Sequence, residues 1–166
     1  ISLPGQDMVL VMSRSIALGA KAGVVTAAGV SVGLVGHTVL ATLGLGVILR
    51  TSEWLFLVLK LVGAAYLVYL GVGLLRTRRG GLAIKAEAFR PLGKLFLDGA
   101  FSNLSNPKIA VFYFAFLPQF VDPAQGTAAI QILLLGAIFI IGGTSVNAIV
   151  ACSASAAARA LGSSAS

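Results

Sequence analysis

Charge is scarce in this chain. Lys, Arg, Asp and Glu make up 10% of its 166 residues, where a soluble domain of this size carries about 25%. With 58% hydrophobic residues and a mean hydropathy of +1.00, that shortfall argues against a water-soluble helical bundle. Histidine and cysteine occur once each, as His37 and Cys152. A single cysteine rules out an internal disulfide and a C-x-x-C redox pair. Single copies of both ligand types supply no metal site, and Cys152 reads as a small packing residue. There is no Ser–His–Asp arrangement and no nucleotide-binding loop, so the chain reads as a non-enzyme without a cofactor. The net charge of +7 does not signal nucleic acid, because the basic residues sit between apolar runs, where they orient helices. A lipid- or nucleic-acid-binding patch is the weaker reading of that charge.

What the chain has is long apolar runs. A bilayer span needs about 20 apolar residues. Residues 22–49, 54–75, 96–120 and 128–152 each supply a complete or nearly complete one, and residues 3–12 look like the second half of another. The expectation is an all-α polytopic membrane protein, one integral domain over residues 1–166, with about five spans and the first one truncated. The chain begins at Ile1 and has no charged n-region ahead of its first apolar run, so that run does not read as a signal peptide. A fragment or trimmed chain is expected. Arg14 and Lys21, the six basic residues Arg76, Arg78, Arg79, Lys85, Arg90 and Lys94, and Arg159 fall in alternate connections, against Arg50 alone on the other side. The positive-inside rule therefore puts the loop 76–94 in the cytoplasm, with Arg14, Lys21 and Arg159 also inside and the N-terminal residues outside. Gly29 and Gly33, four apart, suit close helix packing. Trp54 and Phe56 fit an interfacial belt.

The stretch 96–120 is the most informative. It is of membrane length, yet Asn103, Asn106, Pro107 and Lys108 interrupt its middle. Proline stops the helix ladder, and a charge at bilayer depth costs about 2.5–3.5 kcal/mol on insertion scales. A kink accounts for Pro107 alone, whereas two carboxamides and a lysine point to a polar pathway. Half-helix ends expose N–H and C=O groups suited to a zwitterion. Asp7 follows Pro4-Gly5-Gln6. It reads locally as first-turn capping, and in a membrane setting as a candidate titrating group. The breaks at Pro4 and Pro107 lie about 100 residues apart, the pattern that marks a midplane site in paired halves, and Asp7 and Lys108 are expected to face each other there. His37 reads as a packing residue with proton relay as the sharper alternative. Lys60 reads as a snorkelling stem, Asn147 as an interhelical hydrogen bond, and Asp98 as a cap at the start of its helix.

Three ordered motifs carry a resemblance. Pro4-Gly5-Gln6-Asp7-Met8 with Ser13-Arg14-Ser15, Gly19 and Gly23 is the first. The run 59–67 with Gly71 is the second. Gly99, then 103–108, then Phe116-Leu117-Pro118-Gln119-Phe120, is the third. Over roughly residues 4–150 the chain resembles the LysE/RhtB amino-acid exporters, and within them the homoserine/threonine efflux branch. The resemblance implies six helices in two inverted three-helix halves, a bacterial inner-membrane location and efflux of amino acids or derivatives by proton antiport. It also implies a homodimer as partner state. Its third motif adds Gln119 to the candidate pathway. The family's usual Pro-Gly-Pro is Pro4-Gly5-Gln6 here. An inorganic cation transporter of the same superfamily is the alternative. Metal cations prefer clustered carboxylates or soft ligands, and with Asp98 read as a cap the spans offer only Asp7. A non-transporting structural subunit is a further alternative.

Overall fold

With no water in the bilayer core to satisfy backbone N–H and C=O groups, apolar runs of this length must fold as helices. The computed structural model describes residues 5–76 and 90–163. Six α-helices follow one another: α1 (Gln6–Leu18), α2 (Ala20–Thr51), α3 (Glu53–Arg76), α4 (Leu92–Leu104), α5 (Pro107–Phe116) and α6 (Ala128–Ser163). Short 3₁₀ turns at Leu117–Phe120 and Pro123–Gln125 lead from α5 to α6, and there is no strand among the described residues. The expected break at Pro4 and residues 77–89 of the basic loop lie outside the described residues.

The expectation of an all-α membrane protein holds. Among the described residues three helices contain stretches long and apolar enough to cross a bilayer, Ala20–Ile48, Glu53–Gly73 and Ala128–Leu161. The run 96–120 is interrupted where expected: α4 ends at Leu104 and α5 begins at Pro107. The first helix differs from its expected extent. It runs on to Leu18 and is stopped by Gly19, whose φ of 90° suits a residue without a Cβ and whose N–H bonds the Ser15 carbonyl. Arg14, expected in a connection, is therefore a helical residue. Likewise α6 continues to Ser163, so Arg159 lies within it.

The described chain divides into two compact units, one of residues 1–33, 79–105 and 141–166, the other of residues 34–78 and 106–140. In the first unit, Val11, Ala27, Val30 and Ala151 form the apolar core. Gly29 and Gly33 pack closely as expected, whereas a Cβ at Gly142, in another span, would meet nothing within 4 Å. A Cβ at Gly29 would collide with the Phe96 carbonyl, and one at Gly99 with the Thr26 carbonyl. Lipid offers no hydrophobic drive between helices, so such backbone approach and polar contacts hold them together. In the second unit, Leu34, Ala41, Leu45, Phe56, Tyr113, Leu117, Val121 and Ile132 form the core. There α3 and α5 pack where a Cβ at Gly63 would lie 2.8 Å from the Ala115 Cα.

Candidate functional site

In the first unit the site grows from one face of α1. Asp7, Val11, Arg14 and Ser15 recur at helical spacing, and Val11, Arg14 and Ser15 are buried. Asp7 sits in the first turn, after Gly5 as the N-cap. Its Oδ2 accepts a 2.7 Å hydrogen bond from Asn103 Nδ2, a length typical of a charge-assisted bond. Asn103 is wholly buried, 0% exposed, in the last turn of α4. The bare face of Gly33 makes room for it: a Cβ there would lie 2.6 Å from Asn103 Oδ1 and 2.7 Å from its Cβ. Two of the predicted site residues, 96 positions apart in sequence, are thus brought into contact.

A second polar contact lies further along the same pair of helices. Arg14 Nη2 is 3.2 Å from Asp98 Oδ2, and Arg90 Nη1 is 2.9 Å from the same oxygen. Asp98 is not a helix cap. The helix begins six residues earlier, after Pro91, so its carboxylate is free of that duty and bridges two guanidinium groups. Sequence reasoning missed this trio because it counted Arg14 as a topological charge. The seven-residue interval from Asp7 to Arg14, two turns on one face, was the available signal. Asn147, on α6 in this unit, is buried.

In the second unit, the break residues have local explanations. Asn106 is extended at φ −82°, ψ 103°, and its side chain accepts the Lys108 N–H at 3.1 Å. That is an N-cap, and Pro107 stands at the first helical position, where its missing donor costs nothing. Asn106 is buried and Lys108 exposed. His37 is buried, its ring centroid 5.7 Å from that of Tyr113. Thr38 Oγ1 lies 2.9 Å from the Leu34 carbonyl and 3.3 Å from the Tyr113 hydroxyl. Neither Thr38 nor Tyr113 stood out in the sequence, since both suit an apolar helix. Lys60 places its Nζ 5.6 Å from the centroid of Phe56, one turn nearer the start of α3, the direction a snorkelling stem takes. Gln119 Nε2 donates to the Lys60 carbonyl at 2.6 Å and to the Ala115 carbonyl at 3.2 Å, fastening the turn after α5 to α3. Asp7 and Lys108 belong to different units.

Among the described residues no group of three or more His, Cys, Asp or Glu side chains suits a metal ion. What the first unit holds is an acid in a short hydrogen bond with a buried amide and, two turns on, a buried guanidinium. A carboxylate can exchange a proton, an amide can donate and accept hydrogen bonds, and a guanidinium can pair with an anionic group.

The sequence profile of the LysE type translocator family matches residues 1–165. The chain is 39% identical over 139 residues to the homoserine/homoserine lactone efflux protein of Salmonella typhimurium, covering 83% of this chain and 66% of that protein. It is 33% identical over 149 residues to the uncharacterized membrane protein YrhP of Bacillus subtilis, covering 83% of this chain and 70% of that one. To the leucine efflux protein of Salmonella choleraesuis it is 31% identical over 138 residues, with 81% and 64% covered. The chain thus spans about two thirds of the length of the curated relatives it matches. No solved structure matches it.

Proposed function

Because this chain belongs to the LysE type translocator family, we propose that the protein exports amino acids or their derivatives across the bacterial inner membrane in exchange for protons. The observation that carries the reading is the 2.7 Å bond between Asp7 and the buried Asn103. A carboxylate in an apolar helix bundle is costly, and one that is kept there marks a polar or ion pathway by default. Protonation from outside removes the charge and weakens that bond, which frees the Asn103 amide for a polar solute arriving from the cytoplasm. Proton and substrate then use the same small polar spot by turns. Relatives named for homoserine, homoserine lactone and leucine efflux support a small amino acid or derivative as the cargo. Lys108, exposed at the start of α5, is a second candidate contact for its polar groups.

Asp7→Asn keeps shape and hydrogen-bonding capacity and removes the titrating charge. In the full-length protein it should retain downhill exchange of amino acid and lose gradient-driven export, as collapsing the proton gradient should do to the wild type. Lys108→Met should raise the apparent KM. Normal abundance with normal gradient-driven export in both variants would remove these residues from the pathway.

A further inference from the structure

We infer that Arg14 is the residue that recognises the exported amino acid's carboxylate on its way in from the cytoplasm, and that Asp98 occupies Arg14 until that carboxylate arrives. This rests on the export reading above and names the group by which the substrate is selected.

Burial comes first. The Arg14 side chain is 5% exposed and that of Arg90 42%. A basic residue that serves topology needs only to lie at the membrane surface, as the exposed Lys21 and Lys94 do. Arg14 is instead withdrawn into the packed face of α1 beside Val11 and Ser15. Stability does not explain it well, since a buried ion pair is often no better than an apolar pair of the same volume. A planar guanidinium does offer the fork that matches a carboxylate.

The sharing of Asp98 comes second. Its Oδ2 takes Arg14 at 3.2 Å and Arg90 at 2.9 Å. When a substrate carboxylate moves onto Arg14, Asp98 keeps its shorter bond to Arg90. One carboxylate replaces another on Arg14, and neither acid is stranded. Asp98 is thus a built-in competitor that keeps Arg14 paired while the site is empty.

Position comes third. Arg14 is seven residues from Asp7, about 10 Å along the helix axis. It lies toward Gly19, while Asp98, at the middle of α4, is bonded to Arg90, which stands before the start of that helix beside the basic loop. The positive-inside rule assigns that end to the cytoplasm. A solute leaving the cell meets Arg14 before it meets Asp7. The ammonium and carboxylate of an amino acid sit on one carbon and cannot span that distance, so the two residues handle the substrate in succession.

The test compares acid and amide. The full-length protein is reconstituted in vesicles, and uptake of labelled homoserine and labelled leucine is competed with the unlabelled acid and with its carboxamide, which keeps the ammonium and lacks the carboxylate. The wild type should prefer acid over amide by at least about tenfold, the size of one charge-assisted hydrogen bond. Arg14→Gln should shrink that preference to within about threefold, and Arg14→Lys should fall between. Because Arg14→Gln leaves Asp98 with one partner, the double variant Arg14→Gln/Asp98→Asn is measured as well; it removes both charges together and should show the same collapsed preference. A wild type indifferent to the carboxylate overturns the inference, as does an Arg14→Gln or double variant that keeps the acid preference. A wild type that carries neither amino acid overturns the export reading and this inference with it.

Discussion

Gly33→Ala is the sharpest test of how the site is built. A methyl at Gly33 would stand 2.6 Å from Asn103 Oδ1, 2.7 Å from its Cβ and 3.0 Å from the Ala100 carbonyl. Ordinary carbon contacts lie at about 3.5–4.0 Å, so α2 and α4 must part by roughly 1 Å or Asn103 must turn. Overpacking of this kind costs about 1–3 kcal/mol. A turn of Asn103 also breaks its 2.7 Å bond to Asp7, and a bond to a charged group is worth about 1.5–3 kcal/mol. The two losses overlap, since relieving one incurs the other. A combined effect of about 1.5–3 kcal/mol lowers export at least tenfold, with membrane abundance reduced less than export if Asn103 simply turns. Gly46→Ala is the matched control, because a Cβ there meets nothing within 4 Å. In the same helix it should be neutral or gain up to about 1 kcal/mol from helix propensity. Membrane abundance by immunoblot and export of labelled amino acid from loaded cells read both variants. Wild-type export with Gly33→Ala, or equal losses in Gly33→Ala and Gly46→Ala, would refute the argument from close approach.

Two further outcomes are expected. Asn106→Ala should lower membrane abundance, at a cost of about 0.5–2 kcal/mol for a lost N-cap, and Asn106→Ser should restore both abundance and export; a serine variant that restores abundance but not export makes Asn106 a substrate contact instead. A cysteine placed at Gly80 should resist impermeant thiol reagents in intact cells, because the basic loop resists translocation, whereas ready labelling from outside would reverse the orientation.

The apolar runs made the helices legible from sequence, because length and hydropathy decide a span before any packing is known. The interruption at 103–108 was equally plain, since proline leaves the ladder broken in any context. Its reading was less secure. Asn106 caps the helix that Pro107 opens, while Asn103, three residues earlier, donates to Asp7. Spacing along one segment does not tell which amide turns inward. Arg14 and Asp98 were misread for a related reason. Each has a sufficient local explanation, a topological charge and a helix cap, and their pairing across 84 positions is a fact of packing. Tyr113 and Thr38 were invisible, since neither breaks the apolar pattern of its helix.

Within the first unit, the contacts of α1 with α4 have one more consequence. Asp7 meets Asn103 and Arg14 meets Asp98, so the two helices run in opposite directions and touch through polar groups at two heights. The Val11 surface between them would fit an apolar neighbour at several offsets. The polar pairs would not: sliding one helix by a single turn, about 5.4 Å, leaves all four groups facing the wrong partner. They act as locating pins that set the register, as a buried asparagine does in a coiled coil. A pin is indifferent to which helix carries which half. Exchanging the pair, Asp7→Asn with Asn103→Asp, keeps the register while moving the acid from α1 to α4, and so separates where the carboxylate must be from what merely holds the helices in step.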